Sequence, residues 1–117
     1  MTITVYGIRN CDTMKRARAW LEAHGIAYVF HDYKTAGIDR ATLEKWVAEA
    51  GWEKLLNRSG TTFRKLPEAD RANLDERRAV ALMLAHPSSI RRPVLECGER
   101  LLIGFDPTAY EAHLAQR

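Results

Sequence analysis

The chain begins with a strand pattern, a helix pattern and a second strand pattern in immediate succession. Residues 2–6 (TITVY) alternate and are rich in β-branched side chains, which is typical of a strand. From residue 13, apolar side chains recur every three or four positions, and Gly25 provides a stop signal for this helix. Residues 26–33 (IAYVFHDY) predict the next strand. Two strands joined in this way are expected to be parallel, with a right-handed crossover.

The rest of the chain predicts further helices followed by a β-hairpin. Asp39 is a candidate N-cap for a helix that ends at about residue 50, and residues 75–85 predict another. Between these two helices we expect a helical turn at 53–56, a polar loop at 57–62 and helical material around 67–73. The apolar runs 93–96 and 100–103 flank Cys97-Gly98-Glu99 as a hairpin would, and a last helix begins at Asp106-Pro107.

The hairpin can bury its apolar residues only by joining the sheet of the first two strands. The predicted fold is therefore α/β and thioredoxin-like, with a four-stranded mixed sheet. Residues 38–87 would form a helical insertion between a βαβ half and a ββα half. A length of 117 residues suits a single domain, which we expect to span 1–117.

Composition limits the cellular compartment and the binding partners that we expect for the protein. Hydrophobic residues make up 46% of the chain and charged residues 28%, as in ordinary soluble proteins. No run approaches the ~20 apolar residues of a membrane span, and the N-terminus lacks the features of a signal peptide. The net charge of +3 is too small to suggest nucleic acid. We therefore expect a cytoplasmic protein without membrane or nucleic-acid partners, whose two cysteines are thiols. We also expect it to be a monomer.

Cys11 stands where the first strand pattern passes into the first helix pattern. Unpaired amide groups and the helix dipole favour an anion there, and Arg9, Lys15 and Arg16 add positive charge, although Asp12 opposes them. The loop from Gly7 to Asn10 would also allow backbone amides to approach the sulfur. The alternative is a small residue in a tight turn. We predict a reactive thiol, because α/β sites collect at this edge of the sheet.

Neither Cys97 nor the histidines are predicted to form a functional site. Glu96 and Glu99 flank Cys97, and neighbouring negative charge should raise the pKa of its thiol, so we interpret it as a bystander. The four histidines share no metal-ligand spacing with either cysteine, and we predict no metal.

Four segments resemble one family along nearly the full length of the chain. The segments YGIRNCDTMKRARAWLEAHGI, LLNRSGTTFRKL, HPSSIRRPVLE and LLIGF are similar, in this order, to the ArsC/Spx group of thioredoxin-fold proteins. The likeness is greatest to its YffB-like branch, proposed to be glutathione-dependent thiol reductases. The resemblance implies that Cys11 is the nucleophile, that Arg92 stabilises the substrate beside it, and that Pro93 is the cis-proline lying against the active-site cysteine.

The resemblance implies a thiol-disulfide reductase that uses one cysteine and takes glutathione as its co-substrate. Position 14 holds methionine and not a second cysteine, so the thiolate of Cys11 would become joined to glutathione and be released by a second thiol. Glutathione carries two carboxylates, which require basic groups near Cys11. The residues expected to bind glutathione or the substrate are Asn10, Asp12, Thr13, Arg58, Arg64, Arg91 and Pro93.

Two alternatives remain open on the sequence. An Spx-like regulator that contacts RNA polymerase is one, although such regulators often carry a CxxC switch that this chain lacks. Arsenate reduction is less favoured, because the arginines that arsenate reductases place after the "LL" of the central segment and after the last strand are missing. Here Asn57 follows Leu55-Leu56, with Arg58 displaced by one position, and the last strand ends at Gly104 without an arginine.

Overall fold

A computed structural model of the chain describes residues 2–9 and 11–115. These residues form two compact units. The first contains the chain up to Asp32 and from Arg92 onward, and the second is Tyr33–Arg91. The predicted insertion, 38–87, falls within the second unit, and the single domain expected from the sequence stays a prediction.

The first unit is built on a four-stranded mixed sheet, as predicted. Its strands are β1 (Ile3–Gly7), β2 (Val29–Asp32), β3 (Val94–Cys97) and β4 (Arg100–Ile103), in the order β2-β1-β3-β4. β1 is parallel to β2 and antiparallel to β3, and β3 is antiparallel to β4. This arrangement confirms the thioredoxin-like fold and the place of the hairpin in the sheet.

Strand β2 is shorter than the eight residues predicted for it. Helix α1 (Asp12–Ala23) ends in a turn in which Gly25 has a φ of 67°, and the amide of Ile26 donates to the carbonyl of Leu21. The chain around Ile26 therefore closes the helix and is not available to the strand. At the other end, Tyr33 begins a four-residue helix, α2 (Tyr33–Ala36), and is buried there.

One face of the sheet forms the core of the first unit. Ile3 and Val5 alternate along β1 and are fully buried, whereas Thr4 and Tyr6 are half-buried. The last helix, α8 (Pro107–Tyr110), continues as a π-helical segment, Glu111–Ala115. Strands and helices contribute to a single cluster of buried side chains: Ile3, Val5, Met14, Ala17, Leu21, Leu95, Cys97, Tyr110 and Leu114.

Gly7 allows the end of β1 to approach α1 closely. A methyl group built on Gly7 would overlap the Sδ atom of Met14 and lie 2.7 Å from its Cε atom. Met14 is fully buried, so its side chain has little room to move away.

Replacement of Gly7 by alanine should therefore destabilise the protein. We expect the free energy of unfolding to fall by about 1–3 kcal/mol, the usual effect of overpacking a core. Urea unfolding followed by circular dichroism would measure the change. The double variant Gly7→Ala/Met14→Ala removes the overlap. In the Met14→Ala background, Gly7→Ala should therefore lower the free energy of unfolding much less than it does in the wild type. An equal loss of stability in both backgrounds would contradict this explanation.

The second unit consists of short helices and turns. Its remaining helices are α3 (Arg40–Ala50), α4 (Trp52–Leu55), α5 (Thr61–Arg64), α6 (Glu68–Arg71) and α7 (Glu76–Ala85), followed by a 3₁₀ turn, Pro87–Ser89. Asp39 and Asp75 cap α3 and α7 by accepting hydrogen bonds from the amides of Thr42 and Arg78. The polar loop predicted at 57–62 is shorter, because α5 begins at Thr61 with its Arg64 amide bonded to the Gly60 carbonyl. Across the described residues, no helix is both long and apolar enough to span a membrane.

Candidate active site around Cys11

Cys11 is the N-cap residue of α1. The strand β1 ends at Gly7 and α1 begins at Asp12, which leaves four residues to turn the chain at the carboxyl end of β1. Cys11 has extended backbone angles (φ −136°, ψ 131°), and its carbonyl accepts the first helical hydrogen bond, from the amide of Lys15 at 2.9 Å. Its side chain is half-buried and packs against the core cluster. The thiol is therefore placed at the positive end of a twelve-residue helix.

The surroundings of Cys11 favour its thiolate. Partial burial raises the pKa of the thiol, but hydrogen bonding from the Met14 amide, the Arg92 side chain and the Thr13 amide outweighs burial and holds the pKa below its ordinary value. The sulfur makes no capping hydrogen bond of standard geometry. The stabilisation therefore comes from several groups converging on the sulfur and not from one short bond.

Arg92 reaches Cys11 because β3 lies beside β1. Tyr6, near the end of β1, pairs with Val94 in the antiparallel register, so the residues just before β3 meet the residues just after β1. Arg92 is half-buried, and its guanidinium group interacts with the Cys11 sulfur both by hydrogen bonding and by charge. The Arg92–Pro93 peptide bond is cis, as the resemblance implies. Pro93 is buried, and its carbonyl accepts a hydrogen bond from the Gly104 amide at 2.7 Å.

The structure assigns the other predicted site residues to different places. Thr13 faces the sulfur with its backbone amide, and Asp12 is exposed in the first turn of α1. Asn10 lies outside the described residues. Three arginines belong to the second unit, where Arg58 lies 5.4 Å from the Trp52 ring centroid, Arg91 donates to the Lys54 carbonyl, and Arg64 is exposed at the end of α5. A role in binding for these residues stays a prediction.

Cys97 lies at the other end of the sheet. It is 3% exposed and pairs with Ile3, the first residue of β1, whereas Cys11 follows the last. The length of β1 alone is roughly 13 Å at the usual rise per residue, well beyond the separation of about 7 Å that a disulfide tolerates. This placement supports the interpretation of Cys97 as a bystander. Within residues 2–9 and 11–115, no group of three or more His, Cys, Asp or Glu side chains could hold a metal ion.

Comparison with known families identifies the group to which this site belongs. The family model described as "ArsC family" matches residues 6–113, which include Cys11, Arg92 and Pro93. The chain belongs to the ArsC family. The resemblance stated from the sequence is thereby confirmed at the level of the family.

Individual ArsC-family relatives cover nearly the whole chain. A solved structure of a YffB protein is 62% identical, covers 97% of this chain and 100% of its own, and superposes with a TM-score of 0.95. An uncharacterized protein of Haemophilus influenzae is 40% identical over 97% of this chain and 99% of its own. The global transcriptional regulator Spx of Streptococcus mutans is 29% identical over 96% of this chain and 82% of its own. The chain is therefore similar both to YffB and to Spx.

Proposed function

We propose that this ArsC-family protein is a thiol-disulfide oxidoreductase that uses Cys11 as its single nucleophile and glutathione as its co-substrate. The observation that carries the proposal is the position of Cys11 at the N-terminus of α1 and beside the Arg92 guanidinium group, which favours the thiolate and lowers the pKa of the thiol. A thiol reacts as its thiolate, and a lowered pKa increases the thiolate fraction at neutral pH. The identity of 62% with YffB supports the same branch of the family.

The proposed reaction consists of two exchanges. The Cys11 thiolate attacks the glutathione sulfur of a mixed disulfide, so a bond forms between these two sulfurs while the original disulfide breaks and its other sulfur leaves as a thiolate. That thiolate takes a proton from water. The thiolate of a second glutathione then attacks the glutathione sulfur bound to Cys11, which releases oxidised glutathione and regenerates the Cys11 thiolate. In sum, one mixed disulfide is reduced and one glutathione is oxidised.

Arg92 and the amides of α1 would act at both exchanges. The first exchange consumes the negative charge on the Cys11 sulfur and the second restores it. Arg92 and the amides of α1 stabilise that charge. Reduced glutathione must be abundant for the second exchange, which suits the cytoplasmic location that we propose for this protein. No part of this scheme requires a metal ion.

The proposal is tested by incubating the protein with oxidised glutathione and locating adducts by mass spectrometry of peptides. We expect one glutathionyl group on Cys11 and none on Cys97, in native conditions. The Cys97→Ser variant should form the same adduct. An unmodified Cys11 after prolonged incubation would contradict the proposed function.

Met14 explains why the mechanism would need an external thiol, and it supplies a prediction. In α1 it occupies the position three residues after Cys11, which a second cysteine would need in order to reach the Cys11 sulfur. Residues three apart at a helix start fall within the Cα separation of about 4.4–6.8 Å that a disulfide allows.

In the Met14→Cys variant, the introduced thiol should displace glutathione from Cys11. We expect the glutathione adduct seen in the wild type to be replaced by an intramolecular disulfide, measured by non-reducing mass spectrometry. Loss of the buried methionine should also cost about 1–3 kcal/mol of stability. Met14→Ala is the matched control for the loss of packing and should keep the adduct. Persistence of the glutathione adduct in Met14→Cys would show that a thiol at position 14 does not displace glutathione from Cys11.

The similarity to Spx favours a second candidate, a protein-binding regulator that docks on RNA polymerase. The two candidates differ in their dependence on the thiol. A pull-down with purified RNA polymerase, performed with the wild type and with Cys11→Ser, separates them. Retention by both proteins together with absent disulfide turnover would favour the regulator, and turnover without retention would favour the oxidoreductase.

A further inference from the structure

Two guanidinium groups lie over one phenylalanine ring beside the Cys11 loop. The guanidinium carbon of Arg9 is 5.7 Å from the ring centroid of Phe30, and that of Arg18 is 5.0 Å from the same centroid. Arg9 is exposed and precedes Cys11 by two residues. Phe30 lies on β2, opposite Val5 of β1. We refer to Arg9, Arg18 and Phe30 as the Phe30 cluster.

The two positive charges of the Phe30 cluster have no direct ion-pair partner among the described residues. In the described part of the chain, no carboxylate forms an ion pair with Arg9 or Arg18. The nearby Glu22 accepts a hydrogen bond from the Tyr28 hydroxyl at 2.8 Å, and that hydroxyl accepts one from Nε of Arg18 at 3.0 Å. Two like charges beside one ring repel each other, and attraction to the ring offsets this only in part. An external anion would relieve the repulsion.

A second arginine–phenylalanine pair lies on the opposite side of Cys11. The guanidinium carbon of Arg16 is 5.9 Å from the ring centroid of Phe105, and we refer to these two residues as the Phe105 cluster. β4 runs in the same direction as β1, so Phe105, which follows it, emerges at the same edge of the sheet as Cys11. The Gly104 amide bonds to the Pro93 carbonyl and thereby places Phe105 near Pro93.

The strand order determines how the two clusters flank the thiol. In the order β2-β1-β3-β4, Phe30 belongs to the strand on one side of β1, whereas Phe105 follows the strand two places away on the other side. Cys11 follows β1, whose end lies between the strands that lead to the two clusters. Arg16, like Arg9, is exposed and forms no ion pair with a described carboxylate.

We propose that the Phe30 cluster and the Phe105 cluster bind carboxylates on the two sides of the disulfide that Cys11 attacks. The inference rests on the proposed disulfide exchange and specifies its substrate class as a small peptide disulfide with carboxylates at its ends. Guanidinium groups suit this task, because they donate paired hydrogen bonds to a carboxylate while stacking on an aromatic ring. Oxidised glutathione satisfies this description.

The experiment compares oxidised glutathione with its tetraethyl ester, in which the same disulfide has lost its carboxylates. The rate of Cys11 adduct formation is measured by quenched mass spectrometry for wild type, Arg9→Gln, Arg9→Lys, Arg16→Gln and Arg100→Gln. We expect the wild type to prefer oxidised glutathione over the ester, and each of Arg9→Gln and Arg16→Gln to reduce this preference about fivefold. Arg9→Lys should retain most of it, and added salt should weaken it.

The ratio of the two rates separates binding from thiol reactivity. A change in the pKa of Cys11 would alter both rates together and leave the ratio unchanged. Arg100→Gln is the matched control, since Arg100 is exposed on β4 opposite Cys97, at the far end of the sheet from Cys11. We expect it to leave the ratio at the wild-type value.

The outcomes distinguish this inference from the proposed function. If both disulfides modify Cys11 but the wild type shows no preference, or if the arginine variants keep the wild-type ratio, the inference is overturned and the thiol chemistry stands. If neither disulfide modifies Cys11, the proposed function itself fails. Arg9→Gln is the decisive variant, because the Arg9 side chain is exposed and makes no hydrogen bond to a described residue. Its substitution should not disturb the fold.

Discussion

Replacing Cys11 by serine should abolish the formation of mixed disulfides with glutathione. We expect the rate to fall by on the order of 10³-fold or more, as for the loss of other enzymatic nucleophiles. A serine hydroxyl at neutral pH is neither ionised nor able to attack a disulfide, and Cys97 is too deeply buried to replace Cys11. The rate of adduct formation, measured by mass spectrometry under native conditions, checks this expectation.

The Cys97→Ser variant is the control for this experiment. It makes the same cysteine-to-serine exchange at the other cysteine, leaves the site around Cys11 intact, and should retain the wild-type rate. Circular dichroism should show that both variants are folded. Equal residual activity in Cys11→Ser and the wild type would remove the basis of the mechanism.

Replacing Arg92 by glutamine should have the second-largest effect, through the acidity of Cys11. The guanidinium group favours the thiolate, so its loss raises the pKa of Cys11 toward the ordinary value. Alkylation by iodoacetamide depends on the thiolate, and its rate falls as the pH drops below the pKa. We therefore expect the midpoint of the pH–rate curve to move to higher pH, and the rate near neutral pH to fall by about tenfold for each unit of that shift.

Two comparisons isolate the effect of Arg92. Arg92→Lys keeps the charge but loses the planar donor set, so its midpoint should lie between those of the wild type and Arg92→Gln. Arg100→Gln removes one positive charge at the opposite end of the sheet and should leave the midpoint unchanged. An unshifted curve for Arg92→Gln would mean that the amides of α1 alone hold the pKa down.

The strand and helix patterns predicted the core of the site because its main parts are close in sequence. Gly7, Cys11 and the start of α1 belong to one continuous segment, and the placement of the thiol follows from local geometry. Arg92 is 81 positions away from Cys11. The role that we propose for it was suggested by the family resemblance. Only the antiparallel register of β1 and β3 places it beside the sulfur. Periodicity does not encode such a register between distant strands.

The parts that the sequence did not predict depend on contacts between elements. The start of β2 was misplaced because Ile26 closes α1, a use that its apolar character does not reveal. The arginine–phenylalanine clusters were missed for a related reason. Each pairs residues from different elements, so neither Phe30 nor Phe105 differs in sequence from an ordinary core aromatic.

The burial of Cys97 gives the native chain a built-in folding reporter. A thiol reagent should label the folded protein once, at Cys11, and should reach the second sulfur only when β3 separates from its neighbours. The rate at which the second label appears would then report how often this opening occurs, without any engineered probe. The sulfur to which we assign no catalytic role thus becomes a measure of how often the sheet opens.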